Sequence, residues 1–442
     1  MRDIKGRQVF NNAKWIIICK IAQSVLQLIV GMLCARYLGP SNYGLINYAA
    51  SIVAFVMPIM KLGFDSTMVY ELTENPEKEG EIVGTSLLMN VISSFACIAG
   101  VFLFVSAVNA NDSTAITVCV LYSISLIFAA VEMIQYWFQY KLMSKYSSVV
   151  MLCSYVVVSA YKIFLLVSSK SIYWFALTNS IDFGVIGISL VWLYLKKSSR
   201  GFSFSFNTAK RMLSKSKHYI FSSLMTVVIH NTDHIMLTTM VSKEENGYYT
   251  AAITCATVAQ FVYTAIIDSF RPLILSCKKS DKKEYEKNVS RLYSVITYLT
   301  IAQSFVFTIF ANLIVKLLYG EDYLSSASIL QLLVWYLVFS VMGTVRNVWI
   351  LAEQKQKYLW IINLSGAVLN IVLNAIMIPY WGACGAALAS LLTQFFANFV
   401  LGFILKPIRE NNRQMLIGLN PKFVIKESKS MLVLLKKSDK KN

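Results

Sequence analysis

The chain has 442 residues, of which 56% are hydrophobic and only 14% are charged, and its formal net charge is +18. A soluble domain cannot bury so much apolar surface, so the composition excludes a soluble protein and indicates an all-α polytopic membrane protein. Such a basic charge would indicate nucleic-acid binding in a soluble protein, but here Lys and Arg cluster in short segments between apolar stretches, as at an anionic cytoplasmic membrane face.

Hydropathy predicts twelve transmembrane helices, of which the fourth and eleventh are interrupted by polar residues. They lie near residues 15–35, 43–60, 82–108, 115–140, 147–167, 172–195, 219–241, 249–270, 293–315, 327–345, 358–378 and 382–405. With a cytoplasmic N-terminus, 35 Lys and Arg residues fall on inside segments and only Arg36, Lys170, Lys243 and Lys316 fall outside. We therefore predict that both termini are cytoplasmic.

The first apolar stretch is interrupted by Lys20 and Gln23 and is not followed by a small-residue cleavage site, so we expect no cleavable signal peptide. The eight cysteines are scattered, almost all within apolar stretches, and no Cys-x-x-Cys pair occurs. We therefore expect them to act as small packing residues and to form no disulfides.

A weak internal repeat divides the chain. A shift of 203 residues aligns Gly44 with Gly247, Ala49 with Ala252, and Asp65-Ser66 with Asp268-Ser269, four identities in 23 ungapped positions. In both copies a short outside turn is followed by Gly and by a span that ends in Asp-Ser. We predict two parallel six-helix bundles at residues 1–205 and 206–405, and a basic cytoplasmic tail at 406–442.

The predicted seventh helix, Tyr219–Val241, carries His230, Asp233 and His234 near its middle, on one face. An Asp at the centre of a membrane helix costs about 2.5–3.5 kcal/mol, so this side chain must face protein or water. Two interpretations stay open: a polar pin between helices, and a transport-cavity wall that couples transport to a proton or cation. A metal site is disfavoured because the only other His is His218.

Polar side chains at helical spacing recur in the predicted spans of both halves. Lys20, Gln23 and Gln27 form one stripe on the first span. The other polar positions are Glu132, Gln135 and Gln139 in the fourth span, Asp182 in the sixth, Asn370 and Asn374 in the eleventh, and Gln394 and Asn398 in the twelfth. One stripe alone can be explained by hydrogen bonds that hold neighbouring helices together. Stripes in both halves favour a shared polar interior, because polar side chains are costly to expose to lipid.

Four cations lie within or beside predicted spans: Lys20, Arg36, Lys162 and Arg346. They suit an anionic substrate group such as a phosphate. The alternative is snorkelling to the membrane interface, which fits Arg36 and Arg346 best because both lie at span ends.

Candidate gating residues lie where the second span of each predicted half ends. Asp65 and Asp268 are at these positions, and Arg271 follows Asp268 by three residues, so the two can pair on one helix. Gating salt bridges and ordinary end capping both remain open.

Several short motifs resemble those of a known family. Ala-Arg-Tyr-Leu-Gly-Pro-Ser-Asn-Tyr-Gly at 35–44 and Lys-Leu-Gly-Phe at 61–64 resemble the first signature of polysaccharide-export flippases. Thr-Asp-His-Ile-Met-Leu at 232–237, Gly-Tyr-Tyr-Thr-Ala-Ala at 247–252 and Arg-Pro at 271–272 resemble the start of their second half. These are the Wzx-type repeat-unit flippases for O-antigen and capsule, within the multidrug/oligosaccharidyl-lipid/polysaccharide exporter superfamily.

The resemblance implies two six-helix bundles around a central cationic cavity in a bacterial cytoplasmic (inner) membrane. It also implies outward flipping, by alternating access, of an undecaprenyl-diphosphate-linked oligosaccharide, with a polysaccharide polymerase and chain-length proteins as partners. No nucleotide-binding loop or catalytic triad is apparent, so we expect a transporter without a cofactor or metal, and not an enzyme.

Three other functions compete with this one. A cation-coupled multidrug antiporter of the same superfamily would favour an acidic, aromatic cavity over Lys20 and Lys162. A membrane-bound polysaccharide polymerase would need a long outside loop, and every predicted outside loop is short. A major-facilitator transporter would carry a basic loop after its second span, where this chain has the acidic segment 72–81.

Overall fold

The computed structural model describes residues 2–198 and 201–425. In the first helix it describes the side chains from Cys19 onward, except that of Lys20. Five further side chains lie outside the described set, those of Ser66, His218, Ser222, Lys279 and Ser280. All regular elements in these ranges are helical. The α-helices are α1 Arg2–Met60, α2 Phe64–Glu74, α3 Glu79–Val108, α4 Ser113–Ser123, α5 Ser125–Glu132, α6 Gln135–Tyr140, α7 Ser144–Val167, α8 Ile172–Lys197, α9 Phe206–Met240, α10 Lys243–Ala256, α11 Gln260–Ser280, α12 Lys282–Ile309, α13 Ala311–Tyr319, α14 Ser326–Ala352, α15 Leu359–Phe395, α16 Leu401–Ile404 and α17 Arg409–Leu419. A π-helical segment, Phe396–Val400, joins α15 to α16.

The helices confirm the predicted all-α polytopic fold. In the described ranges, eight helical segments are long and apolar enough to cross a membrane, or nine if the bent pair α10–α11 is one span. Two of them, Ile21–Met60 and Gln356–Ile404, have 40 and 49 residues, about twice the ~20 that one crossing needs. Each is broken by a glycine at positive φ, Gly39 at 71° and Gly382 at 50°. With α9 as the predicted seventh span, these helices accommodate twelve crossings, and that number stays a prediction.

Two predicted spans differ in detail from the helices that contain them. The predicted fourth span, 115–140, lies within the candidate membrane span Ser113–Tyr140, which is interrupted, as predicted, and consists of α4, α5 and α6. The predicted seventh span starts at Tyr219, whereas α9 already begins at Phe206, where the Ser205 side chain accepts a hydrogen bond from the Thr208 amide. Ser205 is an N-cap, and such caps are local signals that hydropathy alone does not weigh.

The chain divides into two compact units, residues 1–250 and 251–442. In the first unit, α9 packs against α1, α2 and α3, and α7 packs against α1 and α8. The basic start of α9 is held by a buried acid, because Arg211 and Lys215 both form ion pairs with Glu71, at 3.1 and 2.6 Å. The predicted bundle boundary at residues 205 and 206 rests on the sequence repeat, and it stays a prediction.

In the second unit, α12 packs against α11, α14 and α17, and α14 packs against α15. The short helix α17 lies in the stretch predicted as a basic tail, yet it buries Asn411, Asn412 and Met415. The Tyr293 hydroxyl of α12 donates to Asn411 Oδ1 at 2.9 Å. The first part of the tail is therefore a packed element of the second unit, and the tail beyond residue 425 lies outside the described residues.

All eight cysteines are free, as the sequence predicts.

Candidate functional site

The polar middle of α9 is joined to the start of α10 by two side-chain contacts. Asp233 is buried, with 3% of its surface exposed, and its Oδ2 accepts a hydrogen bond from the Tyr249 hydroxyl at 2.5 Å. The neighbouring His234 lies with Nδ1 2.7 Å from Asn246 Oδ1. We call Asp233, His234, Asn246 and Tyr249 the α9–α10 cluster.

The hydrogen bonds of Asn246 fix the proton on His234. The Asn246 amide nitrogen donates to the carbonyl oxygen of Gly44 on α1 at 2.8 Å. Its amide oxygen therefore faces the imidazole and can only accept, so Nδ1 of His234 carries the hydrogen. One fully buried amide thus connects α1, α9 and α10.

The structure brings together two of the three predicted coupling residues. Asp233 and His234 belong to the cluster, whereas the His230 side chain is exposed. Tyr249 and Asn246 were not among the predicted site residues, although a signal was present. Only Val241 and Ser242 separate α9 from α10, and a turn that short packs the end of one helix against the start of the next.

A second group of charged side chains lies inside the first unit. Ser154 of α7 donates to Asp182 Oδ1 of α8 at 2.7 Å. Lys162, half-buried on α7, lies near enough to this carboxylate for the two charges to interact. Glu132 of α5 also interacts electrostatically with Asp182. The predicted cation Lys162 and the predicted polar residue Asp182 therefore share one interior.

The remaining predicted residues of the first span are less enclosed. On α1, Gln23 is half-buried, Gln27 is exposed, and Arg36 is exposed three residues before the Gly39 break. The side chain of Lys20 lies outside the described residues. The substrate-binding roles of Lys20, Gln23, Gln27 and Arg36 stay predictions.

Arg346 of α14 contacts the π-helical segment. Its guanidinium is buried, 4% exposed, and Nη1 donates to the Ala397 carbonyl oxygen at 2.6 Å. Asn412 of α17 donates to the Phe399 carbonyl oxygen at 2.7 Å. A π-turn changes the pairing of backbone carbonyls, and here two side chains satisfy two of them. The geometry makes Arg346 a brace of this segment, and its predicted contact with substrate stays a prediction.

Asn370 and Asn374 lie in the first part of α15, and Asn370 contacts the part beyond Gly382. Asn374 Nδ2 donates to Asn370 Oδ1 at 3.1 Å, and Asn370 Nδ2 lies 3.5 Å from Ser390 Oγ. Both asparagines are buried.

The candidate gating residues have two different settings. Asp65 is half-buried in the first turn of α2. Asp268 and Arg271 form the pair that their spacing predicts, with Nη2 and Oδ1 2.9 Å apart and about half of each side chain exposed. The pair is confirmed, and the gating role stays a prediction. Among the described residues, no group of three or more His, Cys, Asp or Glu is arranged to hold a metal ion.

Comparison with known proteins assigns the family. Residues 33–328, more than half of the chain, match the family described as "Polysaccharide biosynthesis protein". The chain belongs to this family. The resemblance of the motifs at 35–44 and 232–252 to a polysaccharide-export family is thereby confirmed.

Two relatives in sequence and one solved structure are similar to this polysaccharide biosynthesis protein. The capsular polysaccharide biosynthesis protein CapF of Staphylococcus aureus is 20% identical over 391 residues, which is 87% of this chain and 96% of the relative. A putative O-antigen transporter of Salmonella typhi is 22% identical over 203 residues, 46% of each chain. Among solved structures, the lipid II flippase MurJ is 17% identical, with a TM-score of 0.74 over 91% of this chain and 90% of that one. At that identity the likeness shows the fold alone.

Proposed function

We propose that this polysaccharide biosynthesis protein moves a lipid-linked oligosaccharide, an undecaprenyl-diphosphate repeat unit, outward across the bacterial cytoplasmic membrane. The family match supports this function, as do relatives described as a capsular polysaccharide biosynthesis protein and an O-antigen transporter. A fold shared with a lipid II flippase also supports it. We further propose that both termini are cytoplasmic, and that a polysaccharide polymerase and chain-length proteins act on the product.

The observation that carries the proposal is the setting of Lys162. This cation is half-buried within an apolar helix, α7, that is long enough to span the membrane. In the described part of the chain Lys162 forms no salt bridge within 4 Å. Its charge acts on Asp182 only at a longer range than that. An ammonium held in apolar surroundings favours an anionic partner, and the diphosphate of the carrier lipid supplies one.

The test replaces Lys162 in cells that depend on this chain for surface polysaccharide. Lys162→Ala should lower surface polysaccharide at least about tenfold while lipid-linked repeat units accumulate, and Lys162→Arg should retain most of the output. The exposed Lys210 on α9 provides the matched control, because Lys210→Ala should change nothing. Full output from Lys162→Ala, at equal membrane abundance, would remove Lys162 from the substrate path.

The orientation has its own test. In a cysteine-free chain, Asn111→Cys and Gly201→Cys introduce thiols at exposed positions. An impermeant thiol reagent added to intact cells should label the first and not the second. Labelling of both, or of Gly201→Cys alone, would contradict cytoplasmic termini.

We propose that the α9–α10 cluster couples transport to a proton or cation, because a buried carboxylate biases an equilibrium between two conformations when its charge changes. Asp233→Asn keeps a hydrogen-bonding group but removes the charge. Flipping by this variant should lose the dependence on pH and Na⁺ seen in the parent. If the dependence persists unchanged, Asp233 is a structural pin.

A further inference from the structure

Two glycines that the sequence repeat aligns form one reciprocal helix crossing. A Cβ atom on Gly44 would lie 1.8 Å from the carbonyl oxygen of Lys243, and a Cβ atom on Gly247 would lie 2.0 Å from that of Pro40. The shift of 203 residues that relates Gly44 to Gly247 also relates Pro40 to Lys243. Each glycine therefore lies against a backbone carbonyl oxygen from the other repeat, as expected of two repeats around a local two-fold axis.

The helix turns that carry these glycines are built alike. Asn47 Nδ2 donates to the Tyr43 carbonyl oxygen at 2.8 Å. The aligned residue Thr250 donates from Oγ1 to the Asn246 carbonyl oxygen at 2.7 Å. The symmetry of the crossing thus extends beyond the two glycines. It lies wholly in the first compact unit, where α1 meets the α9–α10 hairpin.

One side chain breaks this symmetry. The repeat aligns Tyr43 with Asn246, so the two positions carry different side chains, and Asn246 reaches across the crossing, from its amide nitrogen to the Gly44 carbonyl oxygen. Its amide oxygen contacts His234. The side chain that bonds across the crossing therefore also belongs to the α9–α10 cluster.

We propose that the Gly44–Gly247 crossing is a joint at which α1 moves against the α9–α10 hairpin during transport, and that Asn246 is the positioning residue that latches it closed. The inference rests on the proposed transport function and adds to it the contact that must open. Backbones that touch without interposed side chains can part without disturbing packed side chains. At the crossing itself the closed state is held by the backbone contacts and the Asn246 amide, while side chains of α9 pack against α1 beyond it.

The first experiment widens the joint. Gly44→Ala and Gly247→Ala each place a methyl group inside a backbone contact, and each should reduce flipping at least about tenfold at equal membrane abundance. Gly31→Ala on α1 is the control, since nothing lies within 4 Å of a Cβ there, and it should flip at the parent rate. Parent-like flipping by both Gly44→Ala and Gly247→Ala would overturn the joint.

The second experiment releases the latch and reads its opening directly. In a cysteine-free chain carrying Thr250→Cys, a position with 4% exposure, an impermeant thiol reagent should label at least about threefold faster after Asn246→Ala. Asn246→Asp should act in the same direction, because a carboxylate still accepts from His234 but cannot donate to Gly44. The control, Asn47→Ala, removes an asparagine that bonds within its own helix and should leave the rate unchanged.

The outcomes separate the two proposals. If the parent itself moves no lipid-linked oligosaccharide, the proposed function fails, and the thiol rates still report whether Asn246 closes the crossing. If the parent flips and Asn246→Ala and Asn246→Asp both leave the Thr250→Cys labelling rate unchanged, the latch is wrong while the function stands.

Discussion

The turn that follows Trp137 in the first compact unit and the turn that follows Trp349 in the second can be compared residue by residue, since a shift of 212 residues relates them. In the first, the amides of Lys141 and Met143 donate to the carbonyls of Trp137 and Phe138, at 3.0 and 2.8 Å. In the second, the equivalent amides donate to the equivalent carbonyls at 2.9 Å in both cases. The left-handed residues also coincide, Leu142 at φ 55° and Gln354 at φ 53°. Both turns therefore end a helix in the same Schellman-type geometry.

The side chains of the two turns carry opposite charges. Lys141 pairs with Glu79, Nζ to Oε2, at 2.7 Å, whereas the aligned residue Glu353 pairs with Lys278. In each unit the pair ties the turn to the preceding loop or helix end, so the link is kept while its sign is reversed. The two turns therefore share their backbone geometry and the presence of an ion pair, but not the residues that form the pair.

The indole groups also differ between the turns. Trp137 and Trp349 are both buried, 1% exposed. Trp137 Nε1 donates to Glu79 Oε1 at 2.7 Å, whereas Trp349 Nε1 has no hydrogen-bond partner among the described residues. Glu79 also accepts from Ser198 at 3.2 Å. At the first turn, the Glu79 carboxylate therefore has three side-chain partners. At the second turn, the corresponding ion pair joins Glu353 to Lys278.

The largest effect should come from Glu79→Gln. This change removes a carboxylate that is 8% exposed and weakens three polar contacts at once, so we expect a loss of about 2–3 kcal/mol in the free energy of unfolding. Thermal unfolding in detergent measures it. The control is the exposed Glu74 on α2, and Glu74→Gln should be neutral. Equal melting temperatures for the two variants would contradict the three-partner account.

A pair of indole substitutions should show the next largest difference. Trp137→Phe removes a hydrogen bond to a carboxylate, whereas Trp349→Phe removes a donor that has no partner. Both changes lose similar apolar volume, so we expect Trp137→Phe to be the more destabilising by about 1–2 kcal/mol. The same unfolding assay compares them, and a larger loss in Trp349→Phe would refute the distinction.

Glu353→Gln should cost less, about 0.5–1 kcal/mol, because Lys278 is 35% exposed and Glu353 20% exposed. Burial raises the pKa of Glu353, but the hydrogen bond and charge of Lys278 lower it further, so its pKa lies below the ordinary 4.5. A lowered folded-state pKa stabilises the protein above the ordinary value, and this contribution fades as pH falls through the folded pKa. The parent's advantage over Glu353→Gln should therefore shrink below about pH 4.5. An advantage that does not change with pH would show that the charge of Glu353 contributes nothing to it.

The smallest effect should be a gain. Leu142 and Gln354 are non-glycine residues at positive φ, where an L side chain is strained. Leu142→Gly and Gln354→Gly relieve that strain, so each should stabilise by up to about 1 kcal/mol. Destabilisation of both by unfolding measurements would show that side-chain contacts outweigh the backbone strain.

The comparison explains what the sequence repeat could reveal. Asp65 aligns with Asp268 at a shift of 203 residues, but Trp137 aligns with Trp349 at 212. The second half therefore holds nine more residues between these points, and an ungapped alignment loses the repeat after its first two spans. The glycine pair at 44 and 247 was visible because it precedes that change in register.

Hydropathy predicted the helices well because burial in lipid imposes one rule on every span. It could not predict that α17 packs in the second unit, since this helix buries Asn411 and Asn412, which read as tail residues. It missed the partners of the predicted polar residues for a similar reason. Asp233 was visible as a charge in an apolar helix, whereas Tyr249 and Asn246 are ordinary residues until a two-residue turn places them against Asp233 and His234.

We expect the purified chain by itself to flip a lipid-linked oligosaccharide. The most direct measurement reconstitutes the purified protein into vesicles that contain an undecaprenyl-diphosphate oligosaccharide with a fluorescent label, and follows the loss of label to a membrane-impermeant quencher. Vesicles with the parent chain should expose the inner-leaflet substrate at least about tenfold faster than protein-free vesicles, and Lys162→Ala should fall close to the protein-free rate. If the parent leaves the lipid in place but exports a cationic dye down an imposed ion gradient, the chain is an antiporter and the account is wrong.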